Sequence, residues 1–468
     1  MIGRQDRRIA LLVAGCFFME NLDGTIVATA APAMARSLDV PSSSIGLVVT
    51  SYLLALAVLI PVSGWMARRW GARRVFLTAI VVFTLASLAC ALSTDLAQLV
   101  AVRVLQGAGG AMMVPVGRFV VLARAEKADL MRVVAWITWP GLLAPVVAPL
   151  VGGLLTTYAS WHWIFLVNLP LGLLAFVVAW RLVPATARER PQPLDGLGVL
   201  LTCAGLGGLA WTAHLLSEAT AAWGPTTAWA LGSLAVTAWA VRHLLRAPHP
   251  LVELRSLRVT TFRASVTGSS LFWIAVGAAP FLLPLLFQDV FGWSPVTAGA
   301  VVLFVFVGNV AVKPATSWLL RRFGFRAVLV ASTTGVAASL VALGLVTAAT
   351  PLLVTAALCV LSGVARSVGF TAYNTVAFSD VPPEGMRDAN TLAATAQQLG
   401  AAFGVAAATV ALRAGEPLGR LLPGQPTAAT AYTVAFVLLA AVALAATGAA
   451  ARLHPEAGAA VRGAAAGR

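Results

Sequence analysis

The sequence predicts an all-α, polytopic membrane protein: fourteen transmembrane helices, laid out as two six-helix bundles with two further helices inserted between them. Three observations carry this. Of 468 residues, 59 % are hydrophobic and only 10 % charged, against about 45–50 % and about 25 % in soluble globular chains. The apolar residues gather into fourteen runs near the roughly 20 residues that cross a bilayer core of about 30 Å. One loop motif recurs 253 residues further along. The mean hydropathy of +0.89 agrees. A soluble enzyme, a disordered chain and a disulfide scaffold are excluded. Lipid forces each segment to satisfy its own backbone polar groups, which selects helices.

The runs span 9–33, 45–66, 75–93, 96–123, 133–156, 163–183, 196–216, 226–245, 264–287, 296–319, 327–349, 352–378, 389–412 and 429–451. Arg4, Arg7 and Arg8 ahead of the first run give it the look of a signal peptide. Glu20 and Asp23 inside it make it a retained helix. An even number of crossings leaves both termini on one side. The basic loops around Arg68–Arg74, Arg124–Arg132, Arg181–Arg190, Arg242–Arg263 and Arg321–Arg326 share that side, while Arg36, Arg413 and Arg420 oppose it. The asymmetry assigns the N-terminal face to the cytoplasm; the expected location is a bacterial cytoplasmic membrane. It also accounts for the net charge of +15 without a nucleic-acid partner. Cys16, Cys90, Cys203 and Cys359 lie singly in apolar runs and read as unpaired packing residues.

The recurring motif is Ala67-Arg68-Arg69-Trp70-Gly71-Ala72-Arg73, matched by Leu320-Arg321-Arg322-Phe323-Gly324-Phe325-Arg326. Each copy joins two long runs on the same face. The expected domains are an N-terminal bundle over 1–183, a linker with two extra helices over 184–250, a C-terminal bundle over 251–452 and a cytoplasmic tail from 453 to 468. Repeated halves are a transporter design.

Ionisable groups within a membrane helix cost several kcal/mol unless paired or solvated, so each is a functional candidate. Glu20 and Asp23 are three apart and share a helix face. Asp23 lies roughly 21 Å from the cytoplasmic end of its run, and Arg103 sits at a matching depth in the fourth. The two are expected to pair. Asp23 reads as a proton site held by Arg103, with Glu20 as the second candidate; a static pair that only orients two helices is the alternative. In the twelfth run Arg366 has no acid placed to pair with it, and Tyr373 and Asn374 follow on its face. Gln397 and Gln398 continue a polar stripe from Asn390 in the thirteenth. These residues suit either a cavity wall for anionic or hydrogen-bonding groups, or interhelical hydrogen bonds. Trp136 and Trp139 are candidates for a ligand cage, with packing the plainer reading. His162 reads as part of an interfacial aromatic belt, and His214 as a satisfied core residue. Gly107, Gly109 and Gly110 mark close helix approach, and Pro140, Pro145 and Pro149 predict a kinked fifth helix. No HExxH, phosphate loop or metal-spaced Cys/His cluster is present. No cofactor or metal is therefore expected, and any transport must be driven by an ion gradient or run downhill.

At these residues the chain resembles the major facilitator superfamily, and within it the fourteen-helix drug:proton antiporter family. Leu22 through Val27 resembles the motif LDxTIV, and Gly64 through Arg74 the loop motif GxLADRxGRR, including Arg69, Gly71 and Arg73. Arg103 to Gly107 matches RxxQG, with Gln106 in place. Pro149, Gly152 and Gly153 match the antiporter motif GPxxGG. Trp161 to Phe165 with Asn168 and Pro170 resembles WRWIFxINxP, and Asn390 to Gly404 resembles a signature of the thirteenth helix. Arg103–Arg118 and Tyr158–Gly172 look closest to the MdtD-like multidrug exporters. Two departures stand out: Arg68 replaces the acid of the loop motif, and Ala148 replaces the Gly before Pro149. The resemblance implies proton-coupling roles for Asp23 and Arg103, and two halves that rock about a central cavity. The expected activity is proton-driven export of drugs or amphipathic compounds, with export of organic anions or metal chelates, citrate-like ones included, as the alternative on the same fold. The expected partners are a small-molecule substrate, protons and the lipid bilayer, and the chain is expected to act as a monomer. A membrane enzyme would need a nucleophile–base pair or metal ligands, which the sequence lacks.

Overall fold

The computed structural model describes residues 4–122, 130–185, 193–218, 223–420, 428–454 and 457. Most of the tail expected over 453–468, and parts of the basic loops at 124–132 and 181–190, lie outside the described residues. All regular elements among the described residues are helical. They are α1 (Arg4–Ser37), α2 (Gly46–Trp70), α3 (Ala72–Ala91), α4 (Leu96–Leu122), α5 (Leu130–Tyr158), α6 (Trp163–Leu166), α7 (Asn168–Leu182) and α8 (Gly196–Ser217). The series continues with α9 (Trp223–Leu244), α10 (Thr260–Leu285), α11 (Pro295–Ala311), α12 (Lys313–Phe323), α13 (Phe325–Gly344), α14 (Leu352–Ala377), α15 (Met386–Gly419) and α16 (Ala428–Ala451).

Among the described residues, twelve spans are long and apolar enough to cross a bilayer, and thirteen when one bent pair counts as a span. The remaining run is α9, whose 22 residues include threonines, tryptophans and a terminal Arg242–His243 pair that keep it from being counted among these spans. The bent pair is α11 and α12, which meet at 52°. The sequence read them as one helix. Pro314, on the second position of α12, has no N–H to give and its ring crowds the carbonyl four residues back, so the ladder breaks at Val312. α5, by contrast, is one uninterrupted helix through Pro140, Pro145 and Pro149.

The chain divides into two compact units. The first comprises Met1–Leu209, Gly232–Leu251 and Ser294–Gly299; the second comprises Ala210–Leu231, Val252–Trp293 and Ala300–Arg468. The residues of α8 and α9 are shared between them. In the first unit α1 packs on α5 and α7, while α3 packs on α4 and α7. In the second, α10 packs on α15 and α16, while α13 packs on α14 and α16. The same order of packing therefore recurs, with the repeated loop motif at the same joint. Gly71, between α2 and α3, has φ +89°, and Gly324, between α12 and α13, has φ +78°. A side chain at either would be strained, so glycine is the residue that lets both chains reverse there.

Asp195 fastens the start of α8. Its Oδ1 accepts from Gly198 N at 2.8 Å and lies 2.7 Å from His243 Nε2 on α9, while Oδ2 accepts from Leu251 N at 3.2 Å. Partial burial works to raise this carboxyl, but the hydrogen bonds from His243, Gly198 and Leu251 outweigh it and hold it below the usual carboxylate range. A depressed acid stabilises the folded state above its unfolded pKa of about 4, and that contribution is lost as pH falls through the folded value. Asp195→Asn is thus expected to lower the melting midpoint at pH 7, with the gap to wild type closing toward pH 3. A gap of equal size at both pH values would rule the clasp out.

Candidate functional site

Asp23 sits in the middle of α1, and two helices of the first unit, α4 and α7, bring donors to its carboxylate, with α2 and α3 supporting those donors. Arg103 Nη1 of α4 donates to Oδ2 at 2.5 Å, and both side chains are fully buried. Gln106 Nε2, one turn later on α4, donates to Oδ1 at 2.9 Å; Asn168 Nδ2, at the start of α7, donates to the same oxygen at 2.7 Å. Ser87 Oγ of α3 accepts from Gln106 Nε2 at 2.7 Å and from Asn168 Nδ2 at 3.3 Å, so it holds the two amides in place. Arg103 also donates to Gln106 Oε1 at 2.8 Å, and its Nε to the Val48 carbonyl of α2 at 3.4 Å. Its guanidinium lies 4.1 Å from the Tyr52 ring centroid and 5.7 Å from that of Phe165. A dry charge pair is tolerated only with such hydrogen bonds around it. One donor is left over: Arg103 Nη2 is buried with no partner among the described residues.

The backbone permits this convergence through small residues. A Cβ on Gly107 would come within 2.7 Å of both Ala55 Cβ and the Tyr52 carbonyl, so α4 reaches α2 only with glycine there. Gly109 meets the Phe83 backbone of α3 in the same way, and Gly152 of α5 faces Ile26 of α1. Gly153 lies against the Pro295 carbonyl, and buried Pro149 turns its own carbonyl onto Gly299. The sequence segments Leu22–Val27, Arg103–Gly107 and Trp161–Pro170 therefore meet at one point in space: they supply Asp23, then Arg103 and Gln106, then Phe165 and Asn168. A Cβ on Gly64, in the loop motif, would meet only the end of the Arg68 side chain, at 4.0 Å, and Arg69 is exposed. Arg73 donates from Nη2 to the Trp180 carbonyl at 2.6 Å and lies over that ring, which pins α3 to the end of α7.

Glu20 lies one turn before Asp23 and is half-buried; its Oε2 has no partner among the described residues. Gly110 faces its carboxyl, and Tyr52 Oη donates to its main-chain carbonyl at 3.4 Å. Arg118 stacks on Phe17, one turn before Glu20, at 4.7 Å.

The second unit holds cations instead. Arg366 of α14 lies 5.8 Å from the Trp273 ring and 5.5 Å from the Phe306 ring, and its Nη1 is buried without a partner among the described residues. With Ser362 it lines a void of about 10 Å³, room for one water. Lys313, at the α11–α12 break, donates to Thr371 Oγ1 at 3.3 Å and lies 5.1 Å from the Phe370 ring. Trp273 and Phe370 touch edge to face at 5.4 Å, so the two cations flank one aromatic pair. No acid pairs with either among the described residues.

Other expected ligand residues are engaged differently. Tyr373 does not face a cavity: it is 2 % exposed, with its ring on Phe272 at 5.6 Å and its hydroxyl toward the Ala446 carbonyl at 3.5 Å. Asn374 donates back to the Phe370 carbonyl of its own helix at 2.9 Å. Gln397 and Gln398 are half-buried on α15. Trp136 packs into the first unit's apolar core beneath Arg7, whereas Trp139 is exposed, so the two do not form a cage. Sequence reasoning missed Tyr52, Ser87, Arg118 and Trp273, and it read Asn168 and Gln106 only as motif positions. A lone Ser or Tyr in an apolar run gives no signal of a partner over 50 residues away.

The Major Facilitator Superfamily model matches residues 13–405. A Salmonella paratyphi A protein named "Putative multidrug resistance protein MdtD" is 38 % identical over 407 residues, which cover 86 % of this chain and 85 % of the relative. Its namesake from Cronobacter sakazakii is 39 % identical over 406 residues with the same coverage. Among solved structures, an auto-inhibited POT family peptide transporter superposes with a TM-score of 0.70 at 16 % identity, covering 97 % of this chain and 98 % of that one. The D-xylose-proton symporter gives 0.63 at 16 %, covering 93 % and 97 %. Identities this low speak for the fold alone. The extent of the family match and of the curated relatives decides the family: the chain belongs to the Major Facilitator Superfamily, as a multi-pass membrane transporter and not an enzyme.

Proposed function

We propose that this transporter is a proton-coupled antiporter that exports drugs or amphipathic organic compounds across a bacterial cytoplasmic membrane by alternating access, as a monomer with both termini in the cytoplasm. The observation that carries this is the dry Asp23–Arg103 pair. Ionised Asp23 accepts three N–H donors and so ties α1 to α4 and α7. A proton on either oxygen cancels the charge and displaces a donor, which loosens the tie and biases one packing of the unit over another. Glu20, with a free oxygen one turn away, serves as the second proton site. The name carried by the relatives supports drug cargo. Substrate uptake into inverted vesicles, with and without a pH gradient, tests the reading. Uptake should need a gradient with the interior acidic, and uptake unchanged after the gradient is collapsed would exclude proton coupling.

Export of organic anions, chelates included, is the second reading, favoured by Arg366 and Lys313, which lack an acid between them. In the same vesicles Arg366→Ala separates the two. Anionic cargo should lose uptake at least tenfold, while cationic cargo should be little changed.

A further inference from the structure

On the second unit α12, α13 and α14 enclose a groove of about 740 Å³. Its floor is Ala327, Ala331, Gly335, Ala338 and Ala342 of α13, and its walls include Leu319 and Phe323 of α12 and Leu358 and Leu361 of α14. The floor runs from Ala327 to Ala342, about 22 Å of helix, longer than the half-thickness of roughly 15 Å that one leaflet offers. It is dry by construction: Ser332 and Ser339, which also line it, spend their hydroxyls on the Leu329 and Val336 carbonyls of α13 itself. Nothing in it would bind the polar part of a substrate.

One end is different. Arg321 and Arg322 close α12, and Arg326 opens α13 beside Ala327. Arg322 lies alongside Phe323, a wall residue, at 6.0 Å. None of the three arginines has an acid partner among the described residues. Arg73, which the internal repeat matches to Arg326, is instead spent on the Trp180 carbonyl. α12 is a short amphipathic helix whose Trp318 and Phe323 are 55 % and 56 % exposed, the composition of a segment lying at a headgroup boundary. A long apolar slot with a cluster of unpaired cations at one end matches a molecule with an acyl chain and an anionic head.

We infer that this groove is a binding site for an anionic phospholipid, with one acyl chain along α13 and its phosphate among Arg321, Arg322 and Arg326. The site is separate from the transport chemistry proposed above and stands if that reading fails. The test is titration of the purified full chain with phosphatidylglycerol and with phosphatidylcholine of equal chain length, followed by native mass spectrometry. Wild type should prefer phosphatidylglycerol by about tenfold or more. Arg321→Gln/Arg322→Gln/Arg326→Gln should abolish the preference. Ala331→Leu/Ala338→Leu, which adds bulk at two exposed floor positions, should weaken both lipids. Equal affinity of wild type for the two lipids would overturn the inference, as would wild-type binding in the leucine pair. A dimer that the leucine pair abolishes would assign the groove to a second copy and overturn it too.

Discussion

Asp23→Asn is expected to abolish gradient-driven transport while leaving a folded protein that still binds substrate. The amide keeps the size of the carboxylate and can still accept from Arg103, while its NH2 faces the Gln106 and Asn168 donors much as a protonated carboxyl would, so the fold survives with the tie loosened. It cannot carry a proton, so a pH gradient has nothing to act on. Substrate added to detergent-solubilised wild type should release protons to an unbuffered solution, and the variant should release none. Energised efflux should fall at least tenfold, with substrate affinity changed far less. Proton release of equal size from both proteins, corrected for folded fraction, would take Asp23 out of the coupling and leave Glu20 as the carrier. The same measurement on Glu20→Gln then decides whether the two carboxyls act in one step.

The fold was legible because its causes are local. Each run carries its own hydropathy, and Gly71 and Gly324 punctuate the same joint in both halves. Asp23 and Arg103 were legible for a similar reason: charges are so rare in these runs that depth alone matched them. What the sequence could not convey was the shell around them. Ser87 and Tyr52 are ordinary residues until α3 and α2 are packed against α4, and the glycines that set that packing name no partner. The bend at Val312 was hidden because apolar residues continue on both sides of Lys313 and Pro314. Tyr373 misled for the opposite reason. Helical spacing put it on the Arg366 face, but the side chain fills the gap above Gly268 and so belongs to the packing of α14 on α10.

Arg103→Ala is expected to be the most destabilising single change in the first unit, by about 3–5 kcal/mol, because Asp23 stays buried with its cation gone. Gln106 and Asn168 still donate to it, which keeps the loss toward the lower end. Arg103→Lys should recover part of this, since the ammonium restores charge but lacks the planar fork that reaches Asp23, Gln106 and the Val48 carbonyl together. Removing both charges, as Asp23→Ala/Arg103→Ala, should cost less than the two single changes added, with a coupling of about 0.5–3 kcal/mol read from thermal or denaturant unfolding. Strict additivity would mean that the two charges do not stabilise each other. The cycle also separates the two meanings of the pair. If it only orients α1 and α4, the double variant should regain transport in step with its stability. If it is the proton switch, the double variant should be stable, bind substrate and remain uncoupled, because relief of a buried charge restores packing but cannot restore a group that titrates.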